Sequence, residues 1–210
     1  MFVYRFYSMN PQSNTSDSGF DPRGHGFSLW FTGLSGAGKS TIAEAVTSQL
    51  RERGHRVEVL DGDEVREHLS RGLTFSKEDR DINVRRIGWI ASVLARNGVV
   101  AITAAISPYR ATRNEVRAMH DGAAPPNATQ AAFIEIHIAT PLEVCEDRDV
   151  KGLYAKARSG EIPEFTGISD PYEAPEKCEI TIPTQNQSIE ESAAMVLAYL
   201  DKNGLSQPVR

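Results

Sequence analysis

The sequence predicts an α/β fold, a mainly parallel sheet with helices on both faces. Two observations carry this. Short apolar runs of strand length alternate with longer stretches in helical rhythm. A glycine-rich segment, Gly33-Leu-Ser-Gly-Ala-Gly-Lys-Ser40, sits where one such strand passes into a helix. The length agrees: 210 residues, 40% hydrophobic and 24% charged, suit one globular domain with a full core.

Residues 1–26 read as a flexible N-terminal arm, rich in Ser, Asn, Gly and Asp from residue 8 onward. Residues 27–210 read as a single domain. Phe27–Thr32 (FSLWFT) is a short apolar run that suits a buried strand. Thr41–Arg53 carries Ile42, Ala45, Val46 and Leu50 in helical rhythm and stops at Gly54. Val57–Leu60 is a second strand, ending at Asp61-Gly62-Asp63, where one alternative is a tight turn with Asp63 as the cap of a helix over Glu64–Leu69. Ser76 stands at the N-cap of a long helix, Lys77–Asn97, whose apolar stripe is Ile82, Ile87, Ile90, Val93 and Leu94. Val99–Ile106 is continuously apolar, hence a central strand. A helix starts near Pro108–Arg110, Phe133–Ile138 is a strand, and Pro141–Asp147 opens a short helix. Glu179–Ile182 is the last strand, and Ser188-Ile-Glu-Glu191 is a capping box for a final helix ending before Gly204. Gly122–Gln130 is a loop. Residues 147–172, polar and dotted with glycine, are too long for an idle connection and read as a lid.

The net charge is −5, which argues against DNA or RNA as partner, because such binding rests on neutralising phosphates. Two segments run the other way. Residues 66–86 hold six Lys or Arg against four Asp or Glu, and residues 148–158 hold four against one. They predict a local basic pocket for small anions. Cys145 and Cys178 lie 33 apart with no metal-ligand spacing, so they read as free thiols of a cytoplasmic protein. No run approaches the length of a membrane span.

The glycine-rich segment fits G-x-x-x-x-G-K-[ST] in full. Its glycines let backbone N–H groups turn inward around phosphate oxygens, and the next helix adds its positive N-terminal end. Gly33, Ser35, Gly36, Ala37, Gly38, Lys39, Ser40 and Thr41 are therefore the candidate ATP-phosphate cradle. Lys39 is expected to reach the β- and γ-phosphates and the Ser40 hydroxyl to ligate Mg²⁺. A GTPase would need Asp-x-x-Gly and then Asn-Lys-x-Asp. Asp149–Gly152 and Ser76–Asp79 approach these patterns, but the second departs at its first residue and the order is wrong. The chain is also short for a transporter or helicase ATPase. A small-molecule kinase of the three-layer P-loop fold remains, with an acceptor site at a neighbouring strand end and a lid over it.

Asp61 and Asp63 end the second strand, where open α/β sheets place ligands. One carboxylate can order the metal ion through water and the other can accept a proton; spacing alone also allows a tight turn with a helix cap. Arg80 and Asn83 share a helix face that suits an anion and a base or ribose. Read by composition, the same face is a solvated charged surface.

FTGLSGAGKST, DGDEVR, Phe75–Arg86, ISPYRATR, VCEDRDVKGLYAKARSGEIPEFTGI and DPYEAPE, in this order from about Phe31 to about Glu176, resemble the adenylyl-sulfate kinase family. The resemblance implies phosphorylation of the ribose 3′-hydroxyl of adenylyl sulfate by ATP with Mg²⁺, giving ADP and 3′-phosphoadenylyl sulfate in sulfate assimilation. It implies that Asp63, Arg66, Phe75, Arg80, Asn83, Ile106, Ser107, Lys151 and Phe165 hold adenylyl sulfate. Arg148 is implied as a contact to the ATP base. Lys39, Asp61, Asp63 and Ser107 are the candidate catalytic residues, and Ser40 and Asp61 the candidate metal site. Chemistry supports these roles: Phe75 and Phe165 can clamp an adenine, and Arg148 can stack on one. The family's matching serine has been assigned as a phosphoserine intermediate. With no His nearby in sequence to activate Ser107, direct in-line transfer requires less, with Asp63 as proton acceptor. The resemblance further implies a homodimer, to which the helix from Lys77 can lend apolar surface, and a functional link to ATP sulfurylase. At this length the chain is expected to be the kinase alone or an excised kinase domain. The rivals are another small-molecule P-loop kinase and a non-catalytic nucleotide-sensing module.

Overall fold

A computed structural model describes residues 26–121 and 131–206. The arm expected at 1–26, Gly26 apart, and the loop expected at 122–130 lie outside the described residues. In chain order the elements are β1 (Phe27–Thr32), α1 (Lys39–Glu52), β2 (Val57–Asp61), α2 (Gly62–His68), α3 (Lys77–Arg96), β3 (Val100–Ala104) and α4 (Arg110–Asp121). They continue with β4 (Ala132–Ile138), α5 (Leu142–Arg148), α6 (Leu153–Arg158), β5 (Ile180–Ile182), a 3₁₀ turn at Thr184–Asn186, and α7 (Ile189–Lys202).

The five strands are all parallel, in the order β2-β3-β1-β4-β5. The strand order reverses at β1, which pairs β3 on one side and β4 on the other, with Leu29 opposite both Ile102 and Ile134. That crevice, at the carboxyl ends of the strands, is where such sheets take ligands.

The two-residue period of β1 sorts its side chains into two cores. Phe27, Leu29 and Phe31 pack with Ile42, Val46 and Leu50 of α1 and Val196 and Leu200 of α7. Trp30 points the other way, into a cluster with Val84 and Ile87 of α3, Val116 of α4 and Phe133 of β4. Each fully buried side chain of this size contributes about 1.5–3 kcal/mol. On the same face β4 also presents Glu135, which meets the buried Arg113 of α4 at 2.7 Å. The layers are therefore helix, sheet, helix.

The caps form as the sequence predicts. The Asp79 N–H donates to Ser76 Oγ (3.2 Å) at the start of α3. At α7 Ser188 and Glu191 satisfy each other's backbone N–H groups, at 3.1 and 2.8 Å. Three details differ. The central strand ends at Ala104 rather than Ile106, because Ser107 adopts a left-handed backbone (φ 46°) and Pro108 has no N–H to pair. Helix α2 begins at Gly62, directly after β2, so Asp63 lies inside its first turn rather than before it. The expected lid contains a helix, α6, whose Tyr154 and Ala157 are buried.

Candidate active site

The glycine-rich loop joins β1 to α1. Gly33 takes φ +149°, and a Cβ there would lie 2.6 Å from Ile138 O, so only glycine fits against β4. Gly38, at φ 104°, is the N-cap of α1. Each carbonyl from Gly33 to Ala37 has a partner. Lys39 Nζ donates to Gly33 O (3.0 Å) and Leu34 O (2.7 Å). Tyr154 Oη donates to Ser35 O (2.9 Å), Arg148 Nη1 to Gly36 O (3.3 Å), and Thr140 Oγ1 to Ala37 O (2.8 Å). With these carbonyls engaged by groups around the loop, the peptide N–H groups and the unpaired first turn of α1 suit an anion. The first turn of α1 carries no acidic residue to compete for it.

Lys39 is buried. Burial pulls its ammonium down to about 8, and nearby Lys151 acts in the same direction, while Cys145 and Asp61 oppose the shift. Lys151 of the lid is thus within electrostatic reach of the cradle. Burial pushes the thiol of Cys145, beneath the loop, up from its ordinary value.

Ser40, in the first turn of α1, donates through Oγ to Asp61 Oδ2 at the end of β2 (3.3 Å). The two predicted metal residues therefore meet. A hydroxyl and a carboxylate are hard oxygen donors of the kind Mg²⁺ takes alongside phosphate oxygens and water. Among the described residues no group of three or more His, Cys, Asp or Glu is placed to hold a metal ion. The backbone of Asp63 lies one residue into α2; its side chain is outside what the structure describes.

The residues expected to hold the acceptor come from α2, α3, the segment after β3 and residues 147–172. Thr32 Oγ1 donates to Ile106 O (2.7 Å), which draws the segment after β3 over the end of β1. Ser107 is buried, and its Oγ lies 3.5 Å from Ala105 O. Its carbonyl accepts from Arg113 Nη1 (2.6 Å), which pins the left-handed turn. Asn83 is buried on α3 and accepts through Oδ1 from Ser70 Oγ. Phe75 is 61% exposed, with the Arg66 guanidinium 4.3 Å above its ring. Phe165 comes from the lid and meets Tyr154 edge-on at 5.1 Å. Arg80 is buried rather than presented on a solvated face. It bonds Phe75 O, Thr166 Oγ1 and Asp170 Oδ2, each at 2.7 Å, and Glu164 O at 2.5 Å.

Arg148 lines a cleft of about 250 Å³ with Ala37, Gly38, Thr41, Thr184 and Gln187. Sequence reasoning reached the first four of these residues and missed Thr184 and Gln187, which follow β5. It also missed Thr140 and Tyr154, which hold loop carbonyls, and Arg113. A return strap, 170–176, is marked in the sequence by a family block, with its first three residues also counted in the expected lid. It is tied down at several points: Tyr172 Oη lies 3.0 Å from Thr32 Oγ1, Arg113 Nη2 donates to Glu173 O (2.6 Å), and the Glu173 N–H donates to Pro108 O (2.9 Å). No local pattern marks a threonine or tyrosine as a loop tether, since each acts across more than 100 residues of chain.

Comparison with known proteins agrees with this geometry. The family model described as adenylylsulphate kinase matches residues 25–183. An adenylyl-sulfate kinase of Halothermothrix orenii is 51% identical over 179 residues, 85% of this chain and 91% of that protein. One from Rippkaea orientalis is 52% identical over 185 residues, 88% of this chain and 97% of that protein. The Mycobacterium tuberculosis APS kinase solved in complex with AMPPNP and APS superposes with a TM-score of 0.79 at 43% identity, over 84% of this chain and 98% of that one.

Proposed function

The chain belongs to the adenylylsulphate kinase family, and from that premise we propose that it transfers the γ-phosphoryl group of ATP to the ribose 3′-hydroxyl of adenylyl sulfate by direct in-line attack. The observation that carries this reading is the Ser40–Asp61 hydrogen bond, which joins the first turn of α1, after the glycine-rich loop, to the end of β2.

The cradle of Gly33–Thr41 binds the ATP phosphates, with Lys39 turning from its loop carbonyls to the β- and γ-oxygens as charge builds there. Arg148 faces the ATP base from the cleft beside Thr184 and Gln187. Phe75 and Phe165 hold the adenine of adenylyl sulfate, and Arg66 and Lys151 balance its phosphosulfate. The 3′-hydroxyl oxygen forms the new bond to the γ-phosphorus as the bond to the ADP oxygen breaks. The hydroxyl proton passes to the carboxylate of Asp63. Ser40 and Asp61 would hold Mg²⁺, which would neutralise phosphate charge there.

Ser107 serves as a wall of the acceptor pocket. Its buried Oγ has the Ala105 carbonyl as its described partner, at 3.5 Å, and a carbonyl cannot take its proton. Ser107→Ala is therefore expected to keep turnover within about tenfold of the unaltered protein, with product phosphorylated at the 3′-position. Acid-stable labelling of Ser107 by γ-labelled ATP at a kinetically competent rate would overturn direct transfer.

Two further expectations belong to the same reading. Ile82 and Trp89, seven apart on α3, are 36% and 59% exposed and would be covered in a homodimer, for which sedimentation should give twice the mass of the chain. The free thiols of Cys145 and Cys178 suit a cytoplasmic enzyme of sulfate assimilation working beside ATP sulfurylase. Among the described residues no helix is long and apolar enough to cross a membrane.

A further inference from the structure

We propose that Asp170 is a positioning residue for the acceptor site, acting through Arg80 to set the gap between the Phe75 and Phe165 rings. The proposal rests on the reading of those rings as the clamp for the acceptor's adenine.

A guanidinium has five N–H groups. In Arg80 four are engaged within the protein. Nε holds the carbonyl of Phe75, on one side of the clamp. Nη2 holds the carbonyl of Glu164, and Nη1 holds the hydroxyl of Thr166, the two neighbours of Phe165 on the other side. One planar, rigid group therefore spans both walls, and at most one N–H remains for a ligand. The fourth engaged N–H goes to Asp170 Oδ2 at 2.7 Å.

Asp170 is placed to fix that span. Its side chain is 17% exposed and that of Arg80 9% exposed, so the ion pair is poorly screened by water. Its carboxylate also accepts from Tyr109 Oη at 2.7 Å, which ties the pair to the segment before α4. Its own N–H donates to Phe165 O at 3.1 Å, and its carbonyl accepts from the Gly167 N–H at 2.7 Å. The residue thus grips Phe165 by its backbone and Arg80 by its charge. Neutral carbonyls and a hydroxyl hold a guanidinium more weakly than a carboxylate does. Without the charge, Arg80 is free to shift, and the two walls lose their common brace.

The test is Asp170→Asn, which keeps shape and one acceptor while removing the charge. The expected result is a KM for adenylyl sulfate raised about fivefold or more, with the KM for ATP within about twofold of the unaltered protein. In a Phe75→Ala/Phe165→Ala background the same substitution should change the adenylyl-sulfate KM by less than about twofold, since no clamp is left to misplace. An unchanged KM for adenylyl sulfate, or an equal rise for both substrates, would overturn the proposal. So would an undiminished effect in the ring-less background, because Asp170 would then act on the acceptor by another route. Tyr109→Phe removes the second tether and decides the matter if Asp170→Asn does not fold: the ratio of the two KM values should move the same way, and an unmoved ratio contradicts the role. Failure of the clamp reading itself looks different. There, Phe75→Ala/Phe165→Ala alone leaves the adenylyl-sulfate KM unchanged.

Discussion

Lys39 shows how much of this site is set by single residues and how a local environment prepares them. Its ammonium is buried against two loop carbonyls and titrates near 8 instead of 10.5. Between those values the unfolded chain holds the proton that the folded one has released, so this residue makes stability rise with pH across the window. Lys39→Met should remove that rise. In urea unfolding, the stability of the variant relative to the unaltered protein is expected to be greatest at pH 7.5 and to shrink by pH 9.5; a constant difference would show that the lysine is not held down by burial. The same substitution should lower turnover by about a hundredfold or more, because a positioned charge over the transferring phosphoryl group is lost. The identity of Lys39 and its neighbours was legible in sequence, since a phosphate cradle needs glycines, a lysine and a hydroxyl at fixed spacing. The placement of Arg80 was not. Its place on a helix face marks it as a charge available to an anion, and composition as part of a solvated face, whereas four of its donors are taken by groups 5 to 90 residues away, contacts that no local pattern encodes.

At the scale of elements, periodicity and caps were enough to place the strands and the long helices. They were enough because those elements bury one face and satisfy their own ends, as Ser76 and Ser188 do. Boundaries moved where tertiary bonds decide them. Ser107 is drawn into a left-handed turn by Arg113, which shortens β3. Helix α6 has Gly152 at its N-cap, and its first N–H groups, those of Tyr154 and Ala155, go to the Asp149 carboxylate at 3.0 Å, a cap from outside the usual position, so its sequence reads as loop. The packing of α3 on α4 gives an element-scale prediction. A Cβ on Gly88 would come within 2.5 and 2.7 Å of the two methyl groups of Val116. Valine has no far end to swing aside, so the helices must part. Gly88→Ala is expected to destabilise the fold by about 1–3 kcal/mol by urea unfolding, despite the better helix propensity of alanine. Gly88→Ala/Val116→Ala should recover part of the loss; a neutral single variant would show that the α3–α4 contact is slack.

Across the whole molecule, the order β2-β3-β1-β4-β5 places the loop after β1 at the reversal of the sheet, with β2 and β3 bringing the acceptor segments to the same edge. Residues 147–176 are tied back to the rest of the chain by Tyr154 to Ser35 O of the glycine-rich loop, by Asp170 to Arg80 of α3 and by Tyr172 to Thr32 of β1. A net charge of −5 conceals the local balance, because six Lys or Arg fall within residues 66–86 and four within 148–158. The decisive measurement is the rate of ADP release by the purified chain with ATP and Mg²⁺, offered adenylyl sulfate, AMP or a sugar acid in turn. Release with adenylyl sulfate and not with the others is the expected result. Release with AMP or a sugar acid, or tight nucleotide binding with no turnover on adenylyl sulfate, would contradict the assignment.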